Sequence, residues 1–420
     1  MVEPRWLQER REAAAKEFAA LPLPTQEEFW RRTNLKQIKM ERFSPLPASQ
    51  NGALKGSAST QLPIKLLVSG EFLYGEKTSP STLDNDCLKH GVKLTSLAQA
   101  IQENGELVAK YLGKGLQDRH EKFSTQNEAY WQTGAFCYIP KNVSVELPLL
   151  IASHFESSGK SGFPRLLVVL DKGAQATLVH YATSESDGDN NFLNSIAEIY
   201  VEEGANLTWI DLQSLSNQTY EIALKRVEVG RNSKLKWVMD IQGSKLSKTN
   251  IETVLNGEGA CAEVLGLVCG SGKQHLELYS LTHHIAPHTT ADILVKGTAS
   301  DQAKTIFQGM IKIEKEAQQT ESYMANNNLV LSEKAHADSI PRLEIEADDV
   351  KASHGATIGQ VDAEQLFYLR ARGLNREMAE RLLVEGFYED VFGRVPLEGI
   401  RELMRKNLEA KQNAARSAKN

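Results

Sequence analysis

PRLEIEADDVKASHGATIGQVDAEQLFYLRARG, residues 341–373, is where the chain changes character. Leu343, Ile345 and Ala347 alternate with Glu344, Glu346 and Asp348, the period of a half-buried strand. Gly355 and Gly359 then punctuate the chain. Asp362 and Gln365 have capping-box spacing, and Leu366 and Leu369 come after them at helical intervals. Gly373 stands where a C′ glycine closes a helix. Ahead of this junction the chain reads as strand; behind it, as helix. The junction holds one histidine, His354. Ser353 and Gly355 are small and leave its ring accessible. Spacing alone reads it as an ordinary turn residue.

Upstream of the junction, short alternating segments recur from about residue 135. RLLVVLDKGAQATLVHYATS, AEIYVEEGANLTWIDLQSL and KRVEVGRNSKLKWVMDIQG are three of them. Gly173, Gly204, Gly230, Gly257 and Gly297 mark corresponding turns, at intervals from 26 to 40 residues. Such recurrence means stacked units, none of which buries its apolar face alone. No helical pattern interrupts the series, which argues against βαβ folding. An antiparallel sandwich and a parallel β-helix both fit the pattern.

Downstream, 362–372 reads as one helix, Asn375 caps a second that Gly386 closes, and Pro396 opens a third. Leu397, Ile400, Leu403, Met404 and Leu408 form one apolar stripe on the last. The polar tail from 409 is expected to fray. At the other end, residues 1–45 read as helix broken by Pro22 and Pro24, with a Thr25–Glu28 capping box before Phe29 and Trp30. Residues 47–62 read as a loop. The resulting division is a mainly helical 1–130, a β core at 131–358 and a helical 359–420.

Composition narrows the function. A net charge of −6 argues against nucleic acid as the main partner. No run approaches the eighteen or so apolar residues of a membrane span, and the charged N-terminus has no apolar h-region. A cytoplasmic location is the expectation. Cys87, Cys137, Cys261 and Cys269 include no C-x-x-C pair. A chain holding a stable iron–sulfur cluster alone normally offers several close thiolates. Buried small hydrophobes account for Cys261 and Cys269. His283 and His284 fall on opposite faces of a strand, so with His288 they offer at most one face to a metal. GSGKQH (270–275) lacks the glycine and the hydroxyl of a phosphate-binding loop; Leu267 and Gln274 stand there instead. Asp348 and Asp349 could help draw Fe²⁺, but a solvated strand edge accounts for them better.

KASHGATIG (351–359) together with DAEQLFYLRARGL (362–374) resembles the SufB/SufD family of iron–sulfur cluster assembly proteins. LPTQEEFWRRTNL (23–35) and QTESYMANNNLVLSEKAHADSIPRLEI (319–345) also resemble family segments, so the likeness covers nearly the whole chain. The likeness is greatest to the SufD branch, which reads Ser-His-Gly where this chain has Ser353–Gly355. The SufB branch places acidic residues beside the histidine. One departure is Ala352, where many SufD relatives carry cysteine.

The resemblance decides between the two β architectures. It implies a right-handed parallel β-helix flanked by helical ends. It further implies a scaffold subunit without catalytic residues, not an enzyme, paired with a SufB-like paralogue and docked by a SufC-like ABC ATPase. Such a chain can form a homodimer when its paralogue is missing. His354 would face the paralogue where iron or a transient cluster is assembled, with no cofactor held stably by this chain alone. Leu366, Leu369, Leu397, Ile400, Leu403 and Met404 are the candidates for ATPase docking. The rival class is a β-helix enzyme acting on polysaccharides. That class needs charged side chains matched from coil to coil, and no matched offset is visible in the sequence.

Overall fold

The computed structural model describes residues 3–46, 57–117, 119–185 and 190–417. Of the loop expected at 47–62, residues 47–56 lie outside these. Strands two apart in sequence pair in parallel, alternating between two sheets. One sheet runs through Asn191–Val201, Thr219–Val229, Leu246–Leu255, His275–His284, Lys304–Ile313 and His336–Ile345. The other runs through Gln175–Ser184, Asn206–Ser214, Lys234–Ile241, Cys261–Gly270, Thr290–Ala299, Thr320–Val330 and Val350–Gly359. The result is a parallel β-helix of about eight turns.

One corner of each coil turns through a left-handed residue. Asn142, Gly173, Gly204, Asn232, Gly259, His288 and Gln319 all have φ between 52° and 72°. Each donates its N–H to a turn carbonyl of the next coil, as Gly173 N does to Glu203 O at 2.9 Å and His288 N to Gln318 O at 2.9 Å. Glycine and asparagine dominate this column because they tolerate positive φ best. Gly297 is not in the column. It lies inside the strand Thr290–Ala299, and His288 takes its place at the turn.

Alternation within each strand sends one set of side chains between the sheets. There Leu178, Trp209, Trp237, Val264, Ile293 and Met324 form a continuous buried column. The outward faces are covered by helices. At the N-terminal end these are α1 (Arg5–Ala20), α2 (Ala58–Gln61), α3 (Asn85–Lys89), α4 (Leu97–Glu103), α5 (Gly105–Tyr111) and α6 (Lys122–Tyr130). Strands from the same region, Gly70–Gly75 and Lys93–Ser96, extend the two sheets. The Thr25–Glu28 box does not start a helix. Turns fill that stretch, and Phe29 and Trp30 pack instead on the aromatic cluster under α1 and α6.

Behind the β-helix come α7 (Ala363–Ala371), α8 (Arg376–Phe392) and α9 (Glu398–Ser417). Asp362 Oδ1 accepts from the N–H groups of Glu364 and Gln365 at 2.8 Å each, and Asn375 Oδ1 caps α8 through Met378 N at 2.8 Å. Gly373, at φ 95°, terminates α7. Gly386 does not close α8, which continues to Phe392. Val384, Tyr388, Val391 and Phe392 bury one face on the second sheet, and that packing outweighs the roughly 1 kcal/mol disadvantage of an internal glycine. The tail from 409 is likewise helical to Ser417, held by Leu408 and Lys411. Among the described residues no helix is long and apolar enough to cross a membrane.

Candidate functional site at the open end of the β-helix

His354 is not a turn residue. It lies in the middle of the last strand, Val350–Gly359, opposite Met324. Val350 and Ala352 pack on the core between the sheets, so alternation places His354 on the same inward side. It therefore ends the column that runs through Trp209, Trp237, Val264, Ile293 and Met324. Met324 is fully buried, whereas His354 is exposed, because no further coil lies over it. Leu343, Ile345 and Ile358 are also inward-pointing residues of the last coil, each more than a third exposed. Strands His336–Ile345 and Val350–Gly359 each pair on one side only. The end of the β-helix is thus an apolar rim with two free strand edges and one imidazole.

Asp348 and Asp349 lie at the preceding corner, where Asp349 O accepts from Gln319 N at 2.6 Å. Among the described residues no three histidine, cysteine, aspartate or glutamate side chains are grouped to hold a metal. The three histidines at 283–288 separate. His283 Nε2 meets Glu314 Oε1 at 2.7 Å on the outside. His284 is buried between the sheets against Thr289 Oγ1 at 2.8 Å and Ser322 Oγ at 3.0 Å, and burial pushes its pKa down to about 3. His288 serves the turn column. Cys87, Cys137 and Cys269 are buried, and Cys261 is partly exposed.

The helical candidates divide. Ile400, Leu403 and Met404 are at most 2% exposed and pack with Tyr388 and Phe392 against Val238, Leu265 and Leu267. They are core positions and present no surface. Leu366, Leu369 and Leu397 are partly buried. The apolar surface that remains lies outside that stripe. Phe367 is 73% exposed, Tyr368 56%, Met378 54% and Leu382 50%. Tyr368, Leu369, Leu382 and Leu383 line a groove between α7 and α8. α7 has no buried residue at all.

Charged residues do match from coil to coil, contrary to the expectation from the sequence. Asp211 sits beside His180, Glu277 beside Lys248 and Glu263 beside Lys236. The first two sets are buried and neutralise one another within the wall. His180 Nδ1 meets Asp211 Oδ1 at 3.0 Å and Lys225 Nζ meets Asp211 Oδ2 at 2.5 Å, between the sheets. Lys248 and Glu277 are sealed under the N-terminal segment, with Thr33 Oγ1 donating to Glu277 at 2.5 Å. An interval of one coil, 31 residues from His180 to Asp211, was the signal available in the sequence.

Residues 153–387 match the family model described as "SUF system FeS cluster assembly, SufBD core domain". The chain belongs to the SufBD family. Residues 2–151 match its companion, the SufBD protein N-terminal region. An iron–sulfur cluster assembly SufBD family protein of Staphylococcus epidermidis is 29% identical over 81% of this chain and 73% of its own length. One from Staphylococcus aureus strain USA300 is 27% identical over 96% of this chain and 89% of its own. The β-helix from residue 153 onward, with α7 and most of α8, therefore lies within the SufBD core match.

Proposed function

We propose that this chain is a SufD-like scaffold subunit, without turnover of its own, in a cytoplasmic iron–sulfur cluster assembly complex. Its open β-helix end pairs with a SufB-like paralogue, and its α7–α8 face docks a SufC-like ABC ATPase. The observation that carries the reading is His354, the exposed last member of an otherwise buried inward column, on the uncovered end of a SufBD core. A neutral imidazole ligates iron near pH 7. One imidazole holds iron weakly, and Ala352 leaves no thiol beside it, so the paralogue supplies the remaining ligands. Iron or the nascent cluster is cargo at this interface. A partner of the same fold would cover Leu343, Ile345 and Ile358 and occupy the free strand edges, burying the rim that this chain leaves open.

For the ATPase, Phe367, Tyr368, Met378 and Leu382 replace the buried stripe as contacts. Helix-in-groove recognition uses such i, i+4 anchors, as at Met378 and Leu382. The test is co-expression with a SufB-type paralogue and a SufC-type ATPase, with mass measurement of the purified assembly. A complex containing all three is expected. Phe367→Glu with Leu382→Glu places two charges on exposed positions, so the fold is retained while the ATPase is lost from the complex. Recovery of this chain alone, or unchanged ATPase recovery with the double variant, would refute the corresponding half of the proposal.

A further inference from the structure

The underside of α9 carries a buried polar cluster that neither the assembly interface nor the docking face uses. Asp240, 1% exposed, points out of the strand Lys234–Ile241 towards α9. Gln242 Nε2 donates to both its oxygens, at 2.7 and 2.9 Å. Gln242 O in turn accepts from Gln274 Nε2 at 3.0 Å, and Gln274 Oε1 accepts from Lys411 Nζ. Asn407 and Lys411 are four apart and share the face of α9 that bears Met404 and Leu408. Both polar atoms of the Gln412 carboxamide are buried without partners. Lys411, Gln412 and Cys269 also line a cavity of about 610 Å³ between the β-helix and the terminal helices. The seal at this end of α9 is thus polar, incompletely paired and next to a cavity, unlike the apolar seal at Ile400–Met404.

We propose that Asp240, a buried carboxyl held among the described residues only by Gln242 while Lys411 Nζ donates to Gln274, is a proton-operated latch that holds the C-terminal half of α9 on the β-helix while it is protonated and loosens when it ionises. Burial pushes the Asp240 carboxyl up to about 7, against the hydrogen bonds from Gln242 and the charge of Lys411. Burial also lowers Lys411. The other titratable groups facing Asp240 are Cys269 of the neighbouring strand, Tyr388 of α8 and Tyr181, and burial raises all three, so they stay neutral near pH 7. Lys296, on the same sheet, is already engaged by Asp390 and by Phe387 O. Among the described residues Lys411 is thus the cation whose charge bears on Asp240, with its Nζ on Gln274 and not in an ion pair with the carboxyl. The docked state holds the Asp240 proton more tightly than an undocked state with an ordinary carboxyl. Undocking is therefore favoured as pH rises from the usual carboxyl range, until it levels off near pH 7.

The latch involves neither partner nor cargo, so it stands apart from the assembly reading. Hydrogen exchange of the full-length protein tests it, with rates corrected for intrinsic chemistry and α1 as internal reference. Between pH 5 and 7 the opening constant of peptides from 398–417 should rise by up to about tenfold per pH unit, then level off. Asp240→Asn should abolish the slope, and Lys411→Met should move the plateau to higher pH. A flat wild-type profile overturns the latch by itself, without need of a variant. So does a slope that Asp240→Asn leaves unchanged.

Discussion

Asp211→Ala should destabilise the β-helix by about 3–5 kcal/mol, the usual consequence of removing one partner from a buried ion pair. Asp211 lies between the sheets at 3% exposure and accepts from both Lys225 and His180. Burial alone would raise its carboxyl, but Lys225 and His180 outweigh that and hold it at about 2. A depressed carboxyl contributes stability above its unfolded value of about 3.8, and that contribution is lost as pH falls towards 2. In the variant the Lys225 ammonium is left between the sheets beside apolar Ala197, Ile251 and Val227. It must then lose its proton or draw in water. Urea unfolding of the two proteins at pH 7 measures the difference. Asp211→Ala with Lys225→Met removes both charges and should recover most of the loss. A single variant within about 1 kcal/mol of wild type would show that the pair contributes no more than a surface contact.

Leu403→Glu should undock the terminal helices, at a cost of about 4 kcal/mol or more. Leu403 is 2% exposed in the cluster that joins α8 and α9 to the second sheet. The substitution removes a buried leucine and places a carboxylate where no partner stands, and the two effects add. Hydrogen exchange should show lost protection across 376–417 with the β-helix retained. A variant that keeps wild-type protection yet no longer recovers the ATPase would make Leu403 a contact residue instead.

The element types were legible at the junction because the period switches there from 2 to 3.6 and both caps use ordinary chemistry, at Asp362 and Asn375. The β-helix was not legible from pattern alone, since alternation is shared with a sandwich; the family likeness separated them. Gly297 and Gly386 were misread because a glycine in a paired strand or a packed helix is spelled like a turn glycine. Tertiary contacts decide which it is. The same blindness affected the terminal helices. Periodicity finds an apolar stripe but not what covers it, so Ile400, Leu403 and Met404 looked like a docking face while Phe367 and Leu382 went unremarked. His354 was singled out through its neighbours in sequence. Its place at the end of a buried column required the register, strand against strand, of the whole second sheet.

Iron and acid-labile sulfide per assembled complex, measured for wild type beside His354→Ala, bears most directly on the proposal that this end of the SufBD core is where cargo is held. The variant replaces an exposed ring with a methyl group, so fold and subunit composition should be unchanged. A complex of the same mass that has lost most of its iron and sulfide is the expected result. Equal loading, with equal rescue of a strain lacking the wild-type protein, would contradict the proposal and leave His354 as no more than the last inward residue of the coil.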